Sequence, residues 1–315
     1  PWCELIRQWA TLHPEFSYLP RKFKIAVSAA DEDRAATKVH DIGVHVVRND
    51  AGEVGFEVLV GGGLGRTPFI GKQIRPFVEQ KEILSYLESI LRIYNMHGRR
   101  DNKFKSRIKI LVDAIGIDKF RELVEADWEL NRNSELRLTD AEIQRVKGYF
   151  EPPAYQQFEG DDAGYLSQLE SDKAFATWVK QNTFEHKVPG YQAVTLALRV
   201  HDEAGKNLLG SRFKATGNLS ETQLEAVADL ADRYSFGEVR STHEQNMVMA
   251  DVRQSDLYSL WKALTELELA RPIIGTLADM ICCPGLDFCS LANAETLGVA
   301  KQIDDKFDDL DYLYD

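Results

Sequence analysis

Two pairs of side chains in this sequence have the types and spacing to do chemistry. The first is Lys22 and Lys24, in the run Tyr18-Leu19-Pro20-Arg21-Lys22-Phe23-Lys24. Pro20 has no N–H and restrains the residue before it, so a strand is expected over 22–28, carried on by Ile25-Ala26-Val27. Alternation along a strand puts Lys22 and Lys24 on one face, Arg21 and Phe23 on the other. Two ammonium groups side by side repel, a cost that an anion or an anionic cofactor between them removes. On these seven residues alone, solvated lysines guarding an edge strand are the alternative.

The second pair is Cys283 and Cys289, in Cys283-Pro284-Gly285-Leu286-Asp287-Phe288-Cys289, with Cys282 beside them and Cys3 alone at the other end. This is not a disulfide framework; it reads as a metal or redox site in a reducing, cytoplasmic compartment. A C-x5-C pair suits structural zinc poorly, because zinc sites use a shorter spacing twice. Iron–sulfur clusters are held by thiolates, usually four, so the pair is half of such a site. Free cysteines packed as small hydrophobes are the alternative.

The elements that must position these residues belong to a chain of 315 residues with a net charge of −12. That length allows two domains or one duplicated body. The acidic balance argues against nucleic acid or anionic membrane as a partner, and makes any local basic cluster more informative. No apolar run has the length of a membrane span. Pro1 in place of Met suggests that an upstream part is missing.

In chain order, a short helix is expected over 4–12. Strands at 42–47 and 54–60 flank Asn49-Asp50-Ala51-Gly52, a hairpin signal. Gly61-Gly62-Gly63-Leu64-Gly65 is not a dinucleotide fingerprint, since Arg66 stands at the third glycine position. It suits either a close backbone approach or a plain flexible loop. A helix follows over 79–96. Residues 99–109 then hold six cations and one acid just ahead of an apolar helix at Ile110. Cations there oppose the helix dipole unless an anion answers them. Two helices are expected within 117–151, the second opened by Thr139-Asp140-Ala141-Glu142. The pattern restarts after 151–190, taken as a linker. Strands over 194–200, 239–241 and 247–252 then alternate with helices over 221–234 and 256–269, an α+β layer unit. A last helix is expected over 290–303, followed by an acidic, solvated tail over 304–311.

Taken in order, Leu19–Lys24, Gly55–Gly63, Lys105-Ser106-Arg107, Gly217–Gln223, Thr242–Asn246 and Cys283–Cys289 resemble the sirohaem-containing nitrite/sulfite reductases over nearly the whole chain. The resemblance implies an α+β fold with pseudo-twofold duplication. Residues 1–150 would form a first sirohaem/cluster-side α/β unit, 191–268 a second ferredoxin-like half-domain, and 269–315 the start of a second sirohaem-side unit. It implies reduction of sulfite or nitrite by six electrons, passed through a [4Fe–4S] cluster to sirohaem from a ferredoxin or a flavoprotein. Lys22 and Lys24 would hold substrate oxygens and deliver protons. Arg21, Lys105 and Arg107 would clamp sirohaem carboxylates, with Arg100, Asn102 and Lys103 as further candidates. Gln245 and Asn246 would approach the macrocycle, and Cys283 and Cys289 would ligate the cluster. Cys282 stands where the family usually has a small residue. Plant-type nitrite reductases carry tryptophan and asparagine where Phe23-Lys24 stands here, so the resemblance favours sulfite.

The family's second cysteine pair and upstream arginines are absent from the sequence. The chain studied alone is therefore expected to be catalytically dead and free of both cofactors. Two other classes compete: an iron–sulfur or zinc electron-transfer module without a tetrapyrrole, and a non-catalytic scaffold whose lysines only guard an edge.

Overall fold

The computed structural model describes residues 1–198, 219–290 and 292–307. It divides into two compact units, Pro1–Glu151 and Pro152–Asp315.

In the first unit, helix α1 (Trp2–Ala10) is followed by strands β1 (Ile25–Ser28), β2 (Ile42–Arg48), β3 (Val54–Val60) and β4 (Lys72–Glu79). They form one sheet in the order β1-β2-β3-β4, with β1 parallel to β2 and the other pairs antiparallel. The expected hairpin is β2–β3: the Asn49 side chain accepts the N–H groups of Ala51 and Glu53 and closes the turn. Helices α2 (Ile83–His97), α3 (Ile108–Ile115), α4 (Ile117–Asn131) and α5 (Asp140–Gly148) complete the unit. Ile42, Val44, Phe56, Val58 and Val60 from the sheet share a core with Tyr86, Leu87, Ile90, Phe120 and Trp128 from the helices. Each large aliphatic side chain taken from water in this way contributes about 1.5–3 kcal/mol.

In the second unit, helices α6 (Ala163–Ser171) and α7 (Lys173–Asn182) lead into strands β5 (Thr183–Glu185) and β6 (Tyr191–Leu196). The stretch 151–190 is therefore not a linker throughout: Tyr165, Phe175 and Trp178 on these helices are buried in the second core. Helix α8 (Glu221–Tyr234), strands β7 (Arg240–Ser241) and β8 (Met247–Arg253) and helix α9 (Leu257–Glu266) follow. The sheet order is β5-β6-β8-β7, all antiparallel. Ser220 and Gln223 form a full capping box on α8. Helix α10 (Leu297–Phe307) starts seven residues later than the sequence suggested. Asp304, expected in a solvated tail, pairs with Arg271 at 3.1 Å. The end of the strand expected over 194–200, the start of the Gly217–Gln223 match and residues 308–311 lie outside the described residues. No described helix is long and apolar enough to cross a membrane.

Candidate active site: a lysine-bearing segment and a cysteine turn

The lysine segment leads into β1, but the strand ladder begins at Ile25 rather than at Lys22. The cause is a side chain: the backbone N–H of Lys24 donates to Oδ2 of Asp41 at 3.0 Å, not to a neighbouring strand. Alternation nonetheless holds, with Lys22 and Lys24 exposed and Arg21 and Phe23 half-buried. The Phe23 ring packs on Tyr94 at 5.4 Å. Arg21, Lys22 and Phe23 line a cavity of about 630 Å³ together with Ile6, Phe16 and Leu19. Lys24 is not among its lining residues.

The basic cluster resolves into residues with different tasks. Arg100 donates to the backbone carbonyls of Tyr18 and Asn95, both at 2.8 Å, and so braces the turn that precedes the lysine segment. The Asn102 side chain accepts the Phe104 N–H at 3.0 Å and caps a 3-10 turn that carries Lys103 and Lys105 on its surface. Arg107 turns inward, donating from Nε (3.1 Å) and Nη2 (2.8 Å) to Oδ1 of Asp41. Lys109 is buried and donates to the carbonyls of Leu64 (3.0 Å) and Thr67 (2.5 Å). The cations expected to need an external anion at the start of α3 are thus partly answered from within, by a carboxylate and two carbonyls. Burial and the neighbouring Arg107 charge both push the Lys109 ammonium below its ordinary pKa.

The glycine run makes this arrangement possible. A Cβ on Gly63 would lie 2.9 Å from Cδ of Lys109 and 3.1 Å from Nη2 of Arg107. A Cβ on Gly62 would lie 2.5 Å from the Lys38 carbonyl oxygen. The bulky object that these glycines approach is the chain itself.

Sequence reasoning missed Asp41. It is fully buried, and burial pushes its carboxyl up, against the downward pull of Arg107 and of the Lys24 N–H. Burial, and after it the Asp41 charge, raise the Tyr94 hydroxyl to about 12. The signal was available: a lone acid opening an otherwise apolar strand at Asp41-Ile42-Gly43-Val44 needs a buried cation or N–H partner.

In the second unit, Cys283 is exposed, Cys289 half-buried and Cys282 buried. The two outer cysteines flank a 3-10 turn at Gly285–Asp287, closed by the Cys289 N–H donating to the Gly285 carbonyl at 2.9 Å. The hydroxyl of Thr296 donates to the Cys283 carbonyl. The Gln245 amide pairs with the main chain of Cys282, giving Nε2–H to its carbonyl (2.7 Å) and taking its N–H on Oε1 (2.9 Å). Asn246 is buried, accepts the Leu198 N–H at 3.2 Å and donates to Asp279 at 2.9 Å. Within this chain Gln245 and Asn246 therefore tie the cysteine segment to the sheet beside it.

The cations fit a polycarboxylate cofactor in type, with Lys22, Lys24, Lys103 and Lys105 exposed. Cys283 and Cys289 are of the side-chain type that a thiolate-held cluster takes. Among the described residues no group of three or more His, Cys, Asp or Glu is placed to hold a metal ion, so they do not by themselves complete such a site. Asp41 links Arg107 to the main chain of Lys24, and Arg100 holds the Tyr18 carbonyl upstream of it; the cysteines belong to the other unit.

Comparison with known proteins adds a family. The nitrite and sulphite reductase 4Fe-4S domain matches residues 1–132, and the nitrite/sulfite reductase ferredoxin-like half domain matches residues 202–267. The chain is 28% identical over 297 residues to an assimilatory ferredoxin-dependent nitrite reductase of Haloferax mediterranei, covering 89% of this chain and 42% of that protein. It is 28% identical over 293 residues to sulfite reductase [ferredoxin] 1 of Mycolicibacterium paratuberculosis, covering 93% and 43%. It is 27% identical to the sulfite reductase [NADPH] hemoprotein beta-component of Acidithiobacillus ferrooxidans, covering 89% and 42%. The chain thus spans less than half the length of these relatives. The solved structure of the Mycobacterium tuberculosis NirA protein shares the fold, with a TM-score of 0.65 and 24% identity, covering 99% of this chain and 48% of that one. On the two domain matches and their order, the chain belongs to the nitrite and sulfite reductase family, with its α+β fold.

Proposed function

We propose that this chain forms part of an enzyme that reduces sulfite to sulfide. Nitrite, reduced to ammonia by the same machinery, is the second reading, favoured by the similarity to a named nitrite reductase. The observation that carries the proposal is the pair of exposed lysines, Lys22 and Lys24, two residues apart just ahead of β1 and inside the region matched by the 4Fe-4S domain. When bound, sirohaem and the cluster supply the electrons and the iron that takes the oxyanion.

The chain's own residues supply charge, position and protons. Lys22 and Lys24 hold the oxygens of the bound anion by charge-assisted hydrogen bonds, and each departing oxygen receives protons from the adjacent Nζ atoms. A dianion such as sulfite gains about twice the Coulomb energy of a monoanion from the same fixed charges, which favours sulfite. Arg21, Lys103 and Lys105 carry the charges that suit cofactor carboxylates, and Arg107 presents its Nη1 edge alone, because its other edge is committed to Asp41. Cys283 and Cys289 would supply two cluster thiolates. The names of relatives include ferredoxin and NADPH, which supports a ferredoxin or a flavoprotein as the proposed donor.

The test is steady-state reduction of sulfite and nitrite by the complete, cofactor-loaded enzyme. Lys24→Asn should lower kcat/KM for sulfite at least about tenfold, the size of one lost charge-assisted contact, and nitrite reduction less. Equal rates for wild type and variant would sink the reading.

A further inference from the structure

Asp41 connects two of the cations just discussed. It lies where a 3-10 turn, Thr37–Val39, gives way to β2, and it is buried. One carboxylate oxygen takes the N–H of Lys24; the other takes two donors from Arg107. Its own carbonyl accepts the Gly61 N–H at 3.0 Å, and the Lys24 carbonyl accepts the N–H of Ile42 at 3.2 Å. Residue 24 is therefore held on both sides of its α-carbon, by Asp41 ahead and by β2 behind. Arg107 in turn keeps the carboxylate charged and fixed in orientation, since an unpaired buried carboxylate would neutralise or move.

We propose that Asp41 is a positioning residue for Lys24: through the backbone N–H it fixes the point from which the Lys24 ammonium reaches the oxyanion, with Arg107 as its counter-ion. This rests on the reading of Lys24 as a substrate-binding group. It also gives Arg107 a task apart from any contact with a cofactor. Asparagine at position 41 cannot do the same work. If its oxygen accepts the Lys24 N–H, its NH2 faces the guanidinium, donor against donor.

A double-mutant cycle decides the matter, read as calorimetric dissociation constants for sulfite with the complete, cofactor-loaded enzyme. Lys24→Ala should weaken sulfite about tenfold and Asp41→Asn severalfold. If Asp41 acts through Lys24, the double variant should bind no worse than Lys24→Ala alone, because no ammonium is left to position. Where Asp41→Asn fails to fold, Arg107→Lys serves in the same cycle. It keeps a positive charge on the carboxylate but removes the two-pronged contact that orients it. Multiplying losses, or no loss from either variant while Lys24→Ala binds weakly, overturns the proposal and leaves the role of Lys24 intact. Unchanged sulfite binding by Lys24→Ala overturns the functional reading itself, and the proposal with it.

Discussion

At the scale of single residues, a few acids determine how the cations are presented. Asp33 is one step removed from Asp41. It accepts the Thr37 N–H at 3.0 Å and the Thr37 hydroxyl at 2.9 Å, and so pins the turn that delivers Asp41. Partial burial works to raise the Asp33 carboxyl, but the hydrogen bonds from Thr37 and from the Lys38 backbone outweigh it and hold its pKa below the ordinary value. A depressed carboxylate adds stability above its unfolded pKa and loses it as pH falls through the folded one. Thermal midpoints of wild type and Asp33→Asn should therefore differ most near neutrality and converge below roughly pH 4. A gap that stays constant into acid would show that Asp33 contributes nothing through its charge. The alternation of Lys22 and Lys24 could be read from sequence because it follows from chain geometry alone. Asp41 could not be paired in advance, because its partner Arg107 is 66 positions away.

At the scale of elements, local signals succeeded where they were self-contained. The β2–β3 hairpin carries its own turn, and α8 carries its own cap. Strand β4 was missed because Pro76 sits inside it, and proline usually argues against a strand. Here β4 is an edge, and the register slips between Phe56/Val78 and Val58/Arg75, so Pro76 falls where no ladder bond is required. Helices α6 and α7 had readable starts: Asp162 caps the Tyr165 N–H and Asp172 caps those of Ala174 and Phe175. Pro152-Pro153 and the polar runs around them hid these signals. The glycine run was legible as a close approach but not in its target. Gly62→Ala forces a Cβ against the Lys38 and His40 carbonyls, which cannot swing aside as a side chain does. It should lower stability by about 1–3 kcal/mol in denaturant unfolding; wild-type stability would show that the loop is free to shift.

At the scale of the whole molecule, each unit has its own core, and the site residues are divided between them. Residues 151–161 carry no helix or strand and are largely exposed. Limited proteolysis should cut there first and leave two resistant pieces of roughly half the mass. First cleavage inside α2 or β8 would contradict the division. The net charge of −12 gave a correct background against which the cations stood out, but it could not say which of them were already neutralised inside the fold.

The amide of Gln245 treats Cys282 as a neighbouring strand would, reading peptide atoms and ignoring the thiol. The Gln245 contact is thereby independent of which side chain stands at 282. Volume limits that side chain as well, since Cys282 is buried in one small cluster with Leu297 and Ala300. A smaller residue at this point would keep both Gln245 contacts and lose only the bond that the Cys282 thiol gives to the Cys283 carbonyl at 3.3 Å.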